Sequence, residues 1–185
     1  MSTGAAAIFG IICGFIILFA ILCIAIYNKL HLLRSALHSL FPEIEGKLRR
    51  QCDLLPALVK TAGDFVPREE PLLNEVSQSC AKALQALSPA AKAEAGHTMR
   101  EALKRLFIAL EAYPELQART DFIELRNEMK GIGDSAERAW KRYNLISLDY
   151  NAIVDSFPSS ILASLFRFER AEFLEPQDQA GGRRS

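Results

Sequence analysis

The chain carries no net charge, because 22 Lys and Arg stand against 22 Asp and Glu. That balance excludes a general nucleic-acid binder, which presents a basic face. No CxxC pair occurs among the four cysteines, so a zinc ribbon or a thioredoxin-like redox motif has no support. Phosphate-binding loops and nucleophile–base arrangements are missing as well. Histidine is scarce, and His31 and His38 stand two helical turns apart, whereas metal pairs on a helix want a spacing of three or four. The sequence therefore predicts no catalytic residue, no metal ligand, no cofactor and no enzymatic activity.

Charge is missing altogether from Ala5 to Ile26. As a helix this run rises roughly 33 Å, enough for a hydrocarbon core of about 30 Å. A cleaved signal peptide needs a basic n-region and a shorter apolar stretch. Met1 to Gly4 carry no Lys or Arg, so the run reads as an uncleaved anchor. Lys29 and Arg34 follow it, and cytoplasmic flanks collect such charges. The expected topology is an N-terminus outside and a C-terminal domain in the cytoplasm. Ala6, Gly10 and Gly14 recur in steps of four, a spacing that lets two membrane helices approach, so self-association through them is a candidate.

What is present beyond the anchor is helix periodicity, with no strand alternation. Leu30, Leu33, Leu37, Leu40 and Ile44 recur at threes and fours, and Leu48, Leu55, Leu58 and Val59 extend the stripe to Gly63. Pro42 and Pro56 interrupt it, and an interior proline removes a donor and kinks a helix. A second helix is expected over 68–87. A third opens with Ser88 as N-cap and Pro89 at the first helical position, and ends at Pro114. The last helix is the most regular. Phe122, Leu125, Met129, Ile132, Ala136, Ala139, Tyr143, Ile146, Tyr150, Ile153 and Phe157 sustain a seven-residue repeat, the pattern of helices packed at shallow angles.

These lengths predict an all-α protein: a transmembrane helix, then an antiparallel bundle of three rods whose middle rod is interrupted near Ser88. A short apolar helix, opened by Ser159 or Ser160, caps the bundle. Counted this way, the cap lies at the membrane-distal end, near Phe65 and Val66. The domain reading is 1–4 tail, 5–26 anchor, 27–174 cytoplasmic bundle and 175–185 disordered tail. All four cysteines read as unpaired thiols, as is usual in a cytoplasmic setting.

Several of these stretches resemble the LemA family of bacterial membrane proteins. Ala112-Tyr113-Pro114, Phe122 with Leu125 and Asn127-Glu128, Tyr143-Asn144, Tyr150-Asn151, and the segment from Phe157 to Phe168 match motifs of that family. So do Tyr27-Asn28-Lys29-Leu30 after the anchor and the stretch from Arg49 to Pro56. Ala57 stands where the family usually has Asn, and Leu40-Phe41-Pro42 replaces its usual Ala-Trp-Ser. The resemblance implies an N-out single-pass anchor in the bacterial inner membrane and a long helical bundle. It implies no established activity and no cofactor. One branch, the MamQ-like proteins, is associated with magnetosome membrane formation, which makes the magnetosome membrane an alternative location.

The expected partners are the lipid bilayer and a membrane or cytoplasmic protein, with homo-oligomers as a further candidate and no nucleic acid. Tyr143, Asn144, Tyr150 and Asn151 form a candidate recognition strip on the last helix. Core tyrosines with asparagines bonding between helices are the simpler account of them. Lys47, Arg49, Arg50 and Arg68 are the densest basic residues, and salt bridges to neighbouring helices explain them best.

Overall fold

The computed structural model describes residues 2–63 and 70–174, with side chains from residue 10 onward. The fold is all-α: a long apolar N-terminal helix is followed by a bundle-like arrangement of helices, and no strand occurs among the described residues. The elements are α1 (Ser2–Asp53), α2 (Leu55–Gly63), α3 (Glu70–Gln85), α4 (Pro89–Leu110), α5 (Pro114–Gln117), α6 (Thr120–Asp155) and α7 (Ser159–Leu165). Two compact units divide the chain. One comprises Met1–His38 with Ile146–Ala171, and the other Ser39–Leu145 with the residues from Glu172. Phe65, Val66 and Arg68, and the tail from Glu175 onward, lie outside the described residues.

The two prolines of the first stripe behave differently. Pro42 sits inside α1 without ending it. Before Pro56 the helix stops at Asp53 and restarts at Leu55. Pro56 has no N–H to give the Cys52 carbonyl four residues back, so the ladder opens there. Leu54 keeps the chain turning through Leu54 N–H to Arg50 O at 3.3 Å and Leu58 N–H to Leu54 O at 3.1 Å.

In the larger unit, α1 and α6 run antiparallel. Lys47 donates to Ser135 at 2.9 Å, Arg50 pairs with Glu128 at 2.7 Å, and Gln51 donates to the Met129 carbonyl at 3.1 Å. Phe122, Met129 and Ala136 are buried at the expected heptad positions, joined by Trp140 one turn on. The middle segments, α3 and α4, pack on one another. A three-residue link joins them, and Arg105 of α4 pairs with Glu75 of α3, so they form an antiparallel hairpin. Ser88 caps α4 as expected, its hydroxyl accepting from the Ala91 N–H at 3.1 Å with Pro89 in the first turn. Leu48 of α1 presses on Gly96 of α4, where an added Cβ would stand 3.1 Å from the leucine.

The cysteine expectation is corrected here. Cys52 and Cys80 form a disulfide between the end of α1 and the middle of α3, with Cα atoms 5.7 Å apart. Their separation of 28 positions made the pair invisible to any short-spacing rule, and only the fold-back of α3 brings them together. Cys13 and Cys23 are free, as expected.

In the smaller unit, the position of α7 also departs from expectation. Phe166 and Phe168 pack their rings on Tyr27 of α1, at centroid distances of 5.1 and 5.8 Å. Tyr27 is the residue directly after the apolar run, so α7 lies at the anchor end and not at a distal end. The expected path counted the middle segments as one traverse. Their fold-back adds one reversal of chain direction to that count.

Candidate functional site

A groove of about 850 Å³ opens between α4 and α6 in the larger unit. Its α4 wall runs from Ala93 to Glu111 and its α6 wall from Arg126 to Asn144. Each wall is about 27 Å long at helical rise. Its floor is Gln51 of α1, with Leu103 and Met129. Gln51 is buried, and its amide reaches the Met129 carbonyl because Gly133 leaves room: a Cβ there would lie 3.1 Å from Gln51 Nε2. This glycine is therefore a close-approach position, whereas Gly131 faces open space.

Charge lines the rim. Glu137 bridges the two walls, taking Lys141 at 2.7 Å on its own helix and Arg100 at 3.5 Å across the groove. The Lys141 hydrogen bond, helped by Arg100, holds the Glu137 carboxyl below its ordinary value against the opposing effect of burial. That carboxylate is ionised and engaged, not poised to accept a proton near neutrality. Arg126 donates to Gln117 Oε1 at 3.0 Å, tying the groove end to α5. Gln117 in turn donates to the Leu110 carbonyl at 3.0 Å, and Leu116 is fully buried beneath. Lys104 and Lys130, one on each wall, make no ion pair among the described residues. Phe107, Ile108 and Trp140 supply the apolar lining.

The four strip residues fall in different places. Tyr143 and Tyr150 are buried in the heptad core. Burial pushes the Tyr150 phenol up, with Arg34 opposing the shift and Glu169 adding to it. Asn144 lines the groove and accepts the Leu174 N–H at 2.8 Å, seating Leu174 at the groove end. Asn151, in the other unit, accepts the Ala171 N–H at 2.8 Å and donates to the Ala171 carbonyl at 2.9 Å. Each asparagine thus holds a stretch of backbone after α7. On the anchor, an added Cβ at Gly10 or Gly14 meets nothing within 4 Å, so both present open surface. The Ala6 side chain lies outside the described ones. Among the basic residues, Lys47 and Arg50 make ion pairs with Glu43 and Glu128.

A family model for LemA matches residues 41–184. The chain belongs to the LemA family. The LemA match begins within α1, beyond the apolar run, and covers the groove, the disulfide and α7. LemA is not a known enzyme family. No curated protein matches this LemA-family chain. Its first helix is long and apolar enough to cross a membrane, and the apolar stretch is exposed.

The groove is not legible in the sequence, because a heptad names the buried face of one helix and not its neighbour. Gln51 carried the only signal, a polar residue beside the inward-facing Leu48 and Cys52.

Proposed function

We propose that this protein is a membrane-anchored helical scaffold that receives an amphipathic helix of another protein in the α4–α6 groove. The groove carries the reading: it is open along two parallel walls, apolar at Phe107, Ile108 and Trp140, and charged along both rims. That is the chemistry of helix-in-groove recognition. The wall length suits a partner helix of about 18 residues at 1.5 Å per residue. Engagement of Glu137 by two cations, and of Arg126 by Gln117, speaks for a binding rim over a catalytic one.

A photoreactive residue in place of Lys104 or Lys130, in the full chain in native membranes, tests the proposal. One reproducible adduct from both positions, weakened by Phe107→Glu, is expected. Labelling no different from a chain carrying the probe at Glu70, on α3, overturns it.

The anchor is proposed to lie in the bacterial inner membrane with the bundle on the cytoplasmic side, on the strength of Lys29 and Arg34. The Cys52–Cys80 disulfide favours the opposite reading, a bundle on the oxidising side, since cytosolic thiols are kept reduced. The flanking charges act during insertion, whereas the cysteine pair closes or opens with its surroundings afterwards. The charges therefore decide the proposal, and the redox state of the pair reports on it.

A further inference from the structure

In the smaller unit, α7 is built inside out for a water-facing helix. Its fully buried residues are the small ones, Ser159 and Ala163, Leu162 is half-buried, and Ile161 and Leu165 point away from the protein. Phe157 is 82% exposed, Ile161 61% and Leu165 72%, and Phe166 follows on the same end. Ile161 and Leu165 are one turn apart, so they share a face, and Phe157 lies in the turn that leads into the helix. A contiguous apolar surface of this kind marks a site that something covers.

Its place in the fold says what covers it. Tyr27 packs edge-on against Phe166 and Phe168, and Tyr27 comes directly after the apolar run of α1. Tyrosine at that position sits at the headgroup level of a membrane the helix crosses. The C-terminal end of α7 is thereby fixed at the depth where hydrocarbon gives way to headgroups. Around it stand cations: Arg34 lies 5.8 Å over the Phe168 ring, and exposed Arg167 and Arg170 flank the segment, Arg170 pairing with Asp155 at 3.3 Å.

The helix end itself is specialised. Phe168 N–H reaches the Ala163 carbonyl at 2.8 Å and Arg167 N–H the Ser164 carbonyl at 3.3 Å, a Schellman closure. The residue in the left-handed position, φ 55°, is Arg167, where glycine is the usual occupant. A long basic side chain is thus kept at a strained backbone position beside the apolar face.

From these observations we infer that α7 is an interfacial helix. Phe157, Ile161, Leu165 and Phe166 enter the acyl–headgroup boundary of the bilayer that α1 crosses, and Arg167 and Arg170 meet anionic headgroups. Lipid, and not a second copy or another protein, is the occupant because the face is joined by direct ring contacts to the residue that ends the membrane run.

The test uses the full chain in vesicles of phosphatidylcholine and phosphatidylglycerol with brominated acyl chains. Native Trp140 is buried in the bundle and sets the baseline. Leu165→Trp, and separately Ile161→Trp, add a reporter on the α7 face. The expected result is a blue-shifted emission and a loss of intensity with brominated lipid beyond that of the wild-type chain, together with weak quenching by aqueous iodide. Emission that responds to iodide and not to bromine overturns the inference. So does a reporter shielded from both, which would place a protein surface over α7. The inference rests on α1 crossing the bilayer, and co-flotation of the chain with the vesicles separates the two: a chain that fails to float removes the anchor and α7's role with it.

Discussion

Ser147 is fully buried on α6, and its hydroxyl has no partner among the described residues. A buried hydroxyl left without a hydrogen bond costs about 1–3 kcal/mol. Alanine keeps the shape, removes that cost and favours the helix. Ser147→Ala is therefore expected to stabilise the protein by about 1 kcal/mol, read as a raised midpoint in urea unfolding. The two glycines of α6 make a matched pair for the opposite lesson. An added Cβ at Gly131 meets nothing within 4 Å, so Gly131→Ala is expected to gain about 1 kcal/mol of helix propensity. At Gly133 the same methyl stands 3.1 Å from Gln51 Nε2 and presses on the bond that Gln51 makes to the Met129 carbonyl. Gly133→Ala is expected to gain less than Gly131→Ala, and equal gains would show that Gln51 moves freely.

At the scale of elements, the Cys52–Cys80 bond ties the end of α1 to α3 across the α1–α2 break that Pro56 makes. A loop of this length, closed in the unfolded chain, is worth about 3–4 kcal/mol in the chain-entropy account. Reductant is expected to lower the thermal midpoint of the wild-type chain and leave a Cys52→Ser/Cys80→Ser variant unchanged. The α4–α6 bridge responds to acid. The Glu137 carboxyl lies below its ordinary value of 4.5 in the folded protein, so its contribution is present above that value. It is lost as pH falls through the folded-state value, because the unfolded chain takes the proton first. Glu137→Gln is expected to flatten the acid limb of stability against pH. The elements themselves were legible in sequence: Ser88-Pro89 opened α4, and the seven-residue repeat over Phe122 to Tyr150 marked the buried face of α6. Which faces meet was not legible. Periodicity names an inward stripe but is silent on whether α3 continues along α4 or folds back on it. That one reversal placed α7 beside Tyr27 and left the groove between α4 and α6, whereas Cys80 meets Cys52 because α3 packs back on the end of α1.

For the whole molecule, the open quantity is the side of the membrane on which the bundle works, and two physical signals bear on it. Lys29 and Arg34 follow the apolar run, and no Lys or Arg precedes it. Under the proposed orientation, in which this bias holds the flank in the cytoplasm, trypsin added to spheroplasts is expected to spare the C-terminal region and trypsin added to inverted vesicles to digest it. The bias rests on two side chains, so Lys29→Gln with Arg34→Gln is expected to yield a mixed population in the same assay. The cysteine pair gives an independent reading from the same cells. With the bundle on the cytoplasmic side as proposed, acid trapping followed by alkylation is expected to find Cys52 and Cys80 as thiols in wild type, because the reducing cytosol keeps cysteines from pairing as the chain folds. In the double variant, the fraction digested from outside is expected to carry the closed disulfide. A wild-type chain that is cleaved from outside and resists alkylation at both cysteines would reverse the assignment, and the bundle's partners would then be sought on the outer face of the membrane.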